Sequence, residues 1–544
     1  MQTPVQMMEH WAATFPKQTF LRQSTGDDWI EYSWETVADR ARRVATDIAK
    51  MNFPAGSNIA IWSSNSADWF VVDLAIMLSG HVSVPIYPAQ DLETAAYILE
   101  HSETKLLFVG AFDKAEELHS ILPEHMVTIA MRGASITCDA ELEGIIVDTP
   151  PKNDFAPRSM DEVCTILYSS GTTGVPKGVM HTFHSIAQTV ALANNCYGRT
   201  PHAKEGDERE KIISYLPLSH VAERALVEMA GLYLNSHISI SASLANFTSE
   251  IRDVKPTFFG AVPRIWHKFK EGVEAGLQAM DKQIETDADR AAVREWLGLD
   301  QTRLAMTGSA PISPAVHRWY ADIGLHLRES YSMTETFALG AYWDRNEANI
   351  PGCVGRPAGG ISLKLSEDGE IHFKTPGLMK GYYKNEEQTA RVIKDGWYAT
   401  GDLGRIDEDG NLWVTGRTGS VFKTSKGKFV NPERLERELQ KIVLVEQAVV
   451  FGHGLAQPVA VVSVAESAAD KTDAELNAYF AEALDAVNNE LPAHEKITAL
   501  LVVRDVWSSD GGQLTPTLKI KRKVLETQYS AKLGEDAIGV IIGG

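Results

Sequence analysis

The sequence predicts an α/β protein, with a large N-terminal region of several subdomains on parallel sheets and a small, mobile α+β C-terminal domain. Three observations predict it. Short apolar strand patterns alternate with helical ones through the first two thirds of the chain, the signature of parallel sheets joined by helices. Beyond Gly359 the texture changes to short strands and tight turns. The length of 544 residues is too great for one core, and at roughly 150 residues per domain it suggests several units.

Residues 34–52 space Val37, Ala41, Val44, Ala45 and Ile48 for one buried helical face. Asn58–Trp62 reads as a strand, Trp69–Ser79 as a helix stopped by Gly80, and Val82–Ile86 as a second strand. Thr104–Val109, Met126–Ile129 and Cys164–Tyr168 are strand-like, and His184–Asn194 is a helix after a turn-rich loop. Strands follow at Lys211–Leu216, Ile238–Ile240 and Thr257–Gly260, and Trp266–Leu297 reads as one charged helical segment with a solvated face. EDGEIHFKTP and DEDGNLWVTG favour hairpins.

A boundary at Arg417 divides residues 1–417 from 418–544. After it come a strand at Val421–Lys423, a helix at Pro432–Lys441, strands at Gln447–Phe451 and Ala460–Val464, a helix at Asp473–Asn489 and a strand at Ala499–Val503. Two domains of unequal size put a hinge between them.

Hydrophobic residues make up 44% and charged residues 23%, a globular balance. With 52 basic and 72 acidic residues the net charge is -20, so a nucleic acid is not expected as a partner. Four cysteines without paired spacing form neither a zinc knuckle nor a disulfide framework, and they fit a reducing compartment. The opening MQTPVQMMEHWAATF lacks a basic stretch leading into an apolar run, and no apolar run is long enough to cross a bilayer. A cytoplasmic location is expected, with peripheral membrane contact left open because an acyl substrate can reside there.

The chemistry concentrates first in YSSGTTGVPKG, residues 168–178. Gly171 and Gly174 let backbone approach phosphate, Ser169, Ser170, Thr172 and Thr173 add hydroxyl donors, and Lys177 supplies a mobile positive charge. The GxxxxGK[ST] pattern is absent from this stretch, which argues against kinase-like transfer of the terminal phosphoryl group.

This loop resembles the signature of the adenylate-forming superfamily, which includes acyl-CoA synthetases, adenylation domains of peptide synthetases and beetle luciferases. The resemblance runs over roughly residues 30–525 and rests on further motifs in order: TGSAPIS at 307–313, YSMTE at 331–335, YATGDLG at 398–404, Gly416-Arg417, and LTPTLKIKR at 514–522. It implies that Gly308, Ser309, Ala310, Tyr331 and Ser332 contact the nucleotide, with Thr334 at the α-phosphate. It makes Glu335 and Thr172 candidate Mg²⁺ ligands, Asp402 the acceptor of ribose hydroxyls, and Arg417 the cation at the ribose or phosphate end. Lys519 takes the place of the lysine that bridges substrate carboxylate and phosphate, in preference to neighbouring Lys521 and Lys523. Rotation of the small domain would then bring in FKTSKGKFVNP, where Gly427 lets the coenzyme A arm pass. The chain departs from the pattern at the hinge, where Gly419 and Ser420 replace side chains that could latch either state.

YLPLSHVAER and FFGAVPRIWHKF resemble long-chain fatty acid CoA ligases most, which places His220 beside the acyl carboxylate. Trp266 reads equally as a tunnel wall or a core aromatic. The implied reaction joins a medium- or long-chain fatty acid to coenzyme A at the expense of ATP, with Mg²⁺, through an acyl-adenylate. A carrier-protein acyl-AMP ligase, a CoA ligase for another acid and a non-catalytic nucleotide-binding scaffold are the alternatives. Many family members dimerise, so a homodimer is open as well.

Overall fold

The computed structural model describes the chain except residues 113–114, 124–125, 171–174, 203, 205, 207, 345–346, 348, 466–467, 469, 509–510, 516–518, 534–536 and 544. The architecture is α/β, with a large multi-sheet N-terminal domain and a smaller C-terminal one.

One eight-stranded sheet runs in the order Gly381–Tyr382, Pro176–Thr182, Val163–Ser170, Val82–Ile86, Asn58–Trp62, Leu106–Val109, Val127–Ala130, Ala140–Glu141. Its first two pairings are antiparallel and the rest parallel. A seven-stranded sheet orders Leu327–Glu329, Leu304–Thr307, Phe258–Ala261, Lys211–Ser214, His237–Ile240, Thr19–Ser24 and Trp29–Ser33, parallel except for the last pair. Side chains from both sheets join one core through the helices Trp34–Lys50 and Ala67–Leu78. Every residue of Ala67–Leu78 is buried, as an almost wholly apolar helix between two layers must be. Its two acids are paired, Asp68 to Arg40 at 2.9 Å and Asp73 to Arg224 at 3.0 and 3.1 Å. Buried charge is tolerated only with such partners.

The turn-rich region after residue 359 forms an antiparallel sheet, with Ser362–Leu365 on Glu370–Lys374 and Trp397–Ile406 on Leu412–Arg417. The last sheet orders Val445–Phe451, Val459–Val464, Ala499–Val503 and Gly539–Gly543 and carries its own apolar clusters on both faces. Its final strand and the helix Arg522–Tyr529 lack the regular apolar spacing that reveals the others. Among the described residues no helix is long and apolar enough to cross a membrane.

Two sequence readings are corrected. Trp266–Leu297 is not one helix: Pro263–Ala279 ends, and Asp287–Leu297 begins at a capping box in which Thr286 and Asp289 satisfy each other's backbone N–H groups. The phosphate-loop region is not strand, loop and helix, because residues 176–182 form a second strand antiparallel to Val163–Ser170 before the helix Phe183–Cys196 starts.

Candidate active site

Ser169 pairs with Lys177 and Ser170 with Pro176 at the end of these two antiparallel strands. Gly171, Thr172, Thr173 and Gly174 lie outside the described residues. Gly178 is required by crowding, since a Cβ there would stand 2.8 Å from the Ile166 side chain across the pair. Strand alternation puts Lys177, Val179 and His181 on one face, and Tyr382 joins them because it pairs with Val179.

That face supports Thr334 and Glu335, which sit in a short 3₁₀ turn. His181 donates through Nε2 to the Thr334 carbonyl at 2.7 Å, and the Met379 N–H donates to the Glu335 carbonyl at 2.8 Å. The Tyr382 hydroxyl donates to Glu335 Oε1 at 2.8 Å. Lys177 Nζ lies 5.3 Å from the centroid of the Tyr382 ring. His181 is fully buried, and burial pushes its pKa down to about 4, so it acts as a neutral donor.

The Gly308–Ala310 turn follows the strand Leu304–Thr307. A Cβ on Gly308 would stand 3.0 Å from Ser330 Oγ, and Ser309 takes a left-handed φ of 67°. Tyr331, next to Ser330 and followed by Ser332, exchanges backbone hydrogen bonds with Ala341 and donates its hydroxyl to Asp402 Oδ2 at 2.6 Å. Asp402 faces Arg417 across the antiparallel pair, and Arg417 Nε meets Asp402 Oδ1 at 3.1 Å. Arg417 therefore helps orient the carboxylate of Asp402.

Lys519, on the small domain, lies within electrostatic reach of this cluster. Its backbone is tied to Thr515, whose N–H donates to the Lys519 carbonyl at 2.8 Å and whose Oγ1 accepts the Lys519 N–H at 3.0 Å. The ammonium is crowded by protein although solvent still reaches the residue, and its pKa is lowered, first by desolvation and then by Arg417. Asp402 and Glu335 act in the opposite sense. His220 feels Lys519 as well: burial, then the charge of Lys519, pushes its pKa down to about 4. Lys519 thus shares one electrostatic neighbourhood with Glu335, Asp402, Arg417 and His220. Lys521 instead precedes the helix Arg522–Tyr529, of which Lys523 is part.

His220 caps a short helix, and its Nδ1 accepts the Ala222 N–H at 3.2 Å. The neutral ring consequently carries its proton on Nε2, available to a carboxylate oxygen. Behind it, Arg224, Asp73 and Glu228 are buried together, and burial raises the pKa of Glu223 to about 8. Trp266 is core: fully buried, it shares its indole N–H between the Ala261 and Met306 carbonyls at 3.2 Å. Gly427 stands at a hairpin turn with φ 77°, its N–H bonded to the Thr424 carbonyl at 2.9 Å.

The residues that sequence reasoning missed are His181, Tyr382 and Tyr398. The signal for His181 was available in the alternation of Lys177, Val179 and His181, once residues 176–182 are read as a strand. Tyr382 and Tyr398 form a small cluster with Val179 and Met379, which no local pattern predicts.

Residues 8–383 match the AMP-binding enzyme family, and residues 420–535 match its AMP-binding enzyme C-terminal domain. The chain is 29% identical to the long-chain-fatty-acid–CoA ligase FadD15 of Mycobacterium bovis, over 93% of this chain and 92% of the relative. It is 26% identical to the peroxisomal long chain acyl-CoA synthetase 7 of Arabidopsis thaliana, over 97% and 85%. Among solved structures, the A domain of carboxylic acid reductase from Segniliparus rugosus, in complex with AMP and a co-purified carboxylic acid, superposes with a TM-score of 0.80. The identity is 21%, over 98% of this chain and 93% of that one. With most of its length matched, the chain belongs to the AMP-binding enzyme family and is an acyl-adenylate-forming enzyme.

Proposed function

We propose that this chain is a fatty acid CoA ligase that joins a medium- or long-chain fatty acid to coenzyme A in the cytoplasm through an acyl-adenylate. The observation that carries the reading is the convergence of Lys519 with Glu335, Asp402, Arg417 and the neutral His220. Similarity to long-chain fatty acid CoA ligases over more than nine tenths of the chain supports the choice of acid and acceptor.

In the first half-reaction a carboxylate oxygen of the acid attacks the α-phosphorus of ATP, the bond to the bridging oxygen breaks, and pyrophosphate leaves with the electron pair. Two anions must approach one another, so a cation held between them lowers the barrier, and Lys519 is the group for that role. Its depressed pKa reflects partial removal from water, where its charge acts more strongly on the reacting oxygens. His220 Nε2–H orients the acid, while Thr334 and Lys177 hold the phosphates. Asp402, fixed by Tyr331 and Arg417, accepts the ribose hydroxyls on its remaining lone pairs. Glu335 suits Mg²⁺, because a carboxylate with one oxygen on Tyr382 keeps hard oxygen capacity for a cation that also takes phosphate oxygens and water. That ion, when bound, would neutralise phosphate charge. In the second half-reaction the coenzyme A thiolate attacks the acyl carbonyl and AMP leaves.

The test is incubation of the purified protein with ATP, Mg²⁺, coenzyme A and acids of increasing chain length, with mass identification of AMP, pyrophosphate and acyl thioester. The reading expects thioesters of medium- or long-chain acids. Adenylate without thioester transfers the assignment to a carrier-protein ligase, and nucleotide binding without pyrophosphate release to a scaffold.

A further inference from the structure

Tyr382 touches both charges that flank the proposed triphosphate site, and we propose that it is a positioning residue that aims Glu335 and keeps Lys177 from collapsing onto it. The inference rests on the adenylate reading. Lys177 and Glu335 carry opposite charges at one small surface, and attraction between them would close a direct ion pair whenever no nucleotide lies between. Such a pair would point the carboxylate at the lysine and occupy the donors meant for phosphate. Tyr382 gives each charge another partner. Its hydroxyl donates to Glu335 Oε1 at 2.8 Å, and its ring offers a π-face to Lys177 Nζ at 5.3 Å from the centroid.

The ring is held firmly enough for this. Only 5% of Tyr382 is exposed, and it packs with Val179, Met379 and Tyr398. Its backbone pairs with Val179 on the strand that carries Lys177, and its N–H donates to Thr389 Oγ1 at 2.9 Å. The Tyr398 ring packs beside it in the same cluster, and the Tyr382 hydroxyl is directed to Glu335. The Glu335 backbone is anchored separately through its carbonyl, so the phenol acts on the side chain.

Two variants separate the two contacts. Tyr382→Phe keeps the ring and its volume but removes the hydroxyl, and Tyr382→Leu removes both. The measurement is ATP binding by calorimetry across a Mg²⁺ series, with KM for the acid and thermal melting alongside. For Tyr382→Phe we expect metal-free ATP affinity to be unchanged, while the Mg²⁺ concentration for half-maximal enhancement of binding rises about five- to tenfold. Tyr382→Leu should also weaken metal-free ATP binding, through loss of the support under Lys177. A Tyr382→Phe protein with the wild-type Mg²⁺ dependence overturns the inference. So does a pair of variants that lower melting temperature and acid affinity alike with nucleotide binding untouched. Wild-type protein that binds no ATP overturns the adenylate reading itself; wild type that binds ATP with an unaltered Tyr382→Phe overturns the inference alone.

Discussion

The side-chain amide of Asn431 donates to the carbonyl of Thr415 at 3.0 Å, and this contact ties the small domain to the last strand before Gly419. Arg437 adds hydrogen bonds to the Val414 and Thr415 carbonyls, each at 2.9 Å. Gly416 makes room for them, because a Cβ there would fall 2.2 Å from the Asn431 amide nitrogen. These bonds hold the orientation in which Lys519 lies within electrostatic reach of Glu335 and Asp402. Removing both side chains with Asn431→Ala and Arg437→Ala should slow adenylation about tenfold, at about 1 kcal/mol per net hydrogen bond and some compensation by water. Thioester formation from supplied acyl-adenylate should change much less. Rapid-quench measurement of each half-reaction checks this, and an equal loss in both would refute it.

Gly419 itself has an ordinary φ, and a Cβ added there would meet nothing within 4 Å. Gly419→Ala should therefore leave adenylation within about twofold of wild type, since open space carries no packing penalty. Gly419→Pro restricts the backbone and should impair thioester formation more than adenylation. If the proline variant loses both steps equally, Gly419 is not the pivot.

Lys519→Ala should lower adenylation about a hundred- to a thousandfold, the scale for removing one aimed electrostatic group from a reaction centre. Conversion of preformed acyl-adenylate to thioester should persist. Pyrophosphate release reports the first step and mass detection of the thioester the second; adenylation that survives the substitution would remove Lys519 from the mechanism.

The buried His181 makes stability pH-dependent in a defined direction. Its folded pKa of about 4 lies below its ordinary 6.5, so the unfolded chain binds more protons between those values. Its contribution is complete above pH 6.5 and is lost as pH falls toward 4, an effect of about 3 kcal/mol. His181→Gln, which can still donate to Thr334, should flatten denaturant-unfolding stability across that window.

Glu329 works the other way. Burial raises it to about 7 from an ordinary 4.5, against the hydrogen bonds from Gly352 and Ile312 and the charge of Arg437. Its folded form holds the proton, so stability is full below pH 4.5 and falls as pH rises through 7. Relative to wild type, Glu329→Gln should gain stability progressively across that interval and hold the gain above it, up to about 3 kcal/mol. Urea midpoints at pH 5 and pH 8 check the sign.

Much of this protein is legible without coordinates because the relevant physics is local. The apolar spacing of Val37 to Ile48 produces the helix Trp34–Lys50, and Asn58–Trp62, Val82–Ile86 and Ala499–Val503 occur where their apolar runs predict. Patterning failed where the signal was weak or ambiguous. The strand Pro176–Thr182 opens with Pro-Lys-Gly, and the charged break between Ala279 and Asp287 is marked only by a cap.

By itself the sequence determined the order of the motifs and the α/β alternation, since residue type and spacing along the chain carry that information, while the candidacy of Glu335, Asp402 and Lys519 came from the resemblance of those motifs to the adenylate-forming superfamily. Only the tertiary structure decided that Lys519 comes within electrostatic reach of His220 and Glu335, that Arg417 turns onto Asp402, that Trp266 is core, and that Tyr382 contacts both Lys177 and Glu335. Those pairings join segments far apart in the chain, and they arise from how sheets and helices pack against one another, which neither propensity nor periodicity records.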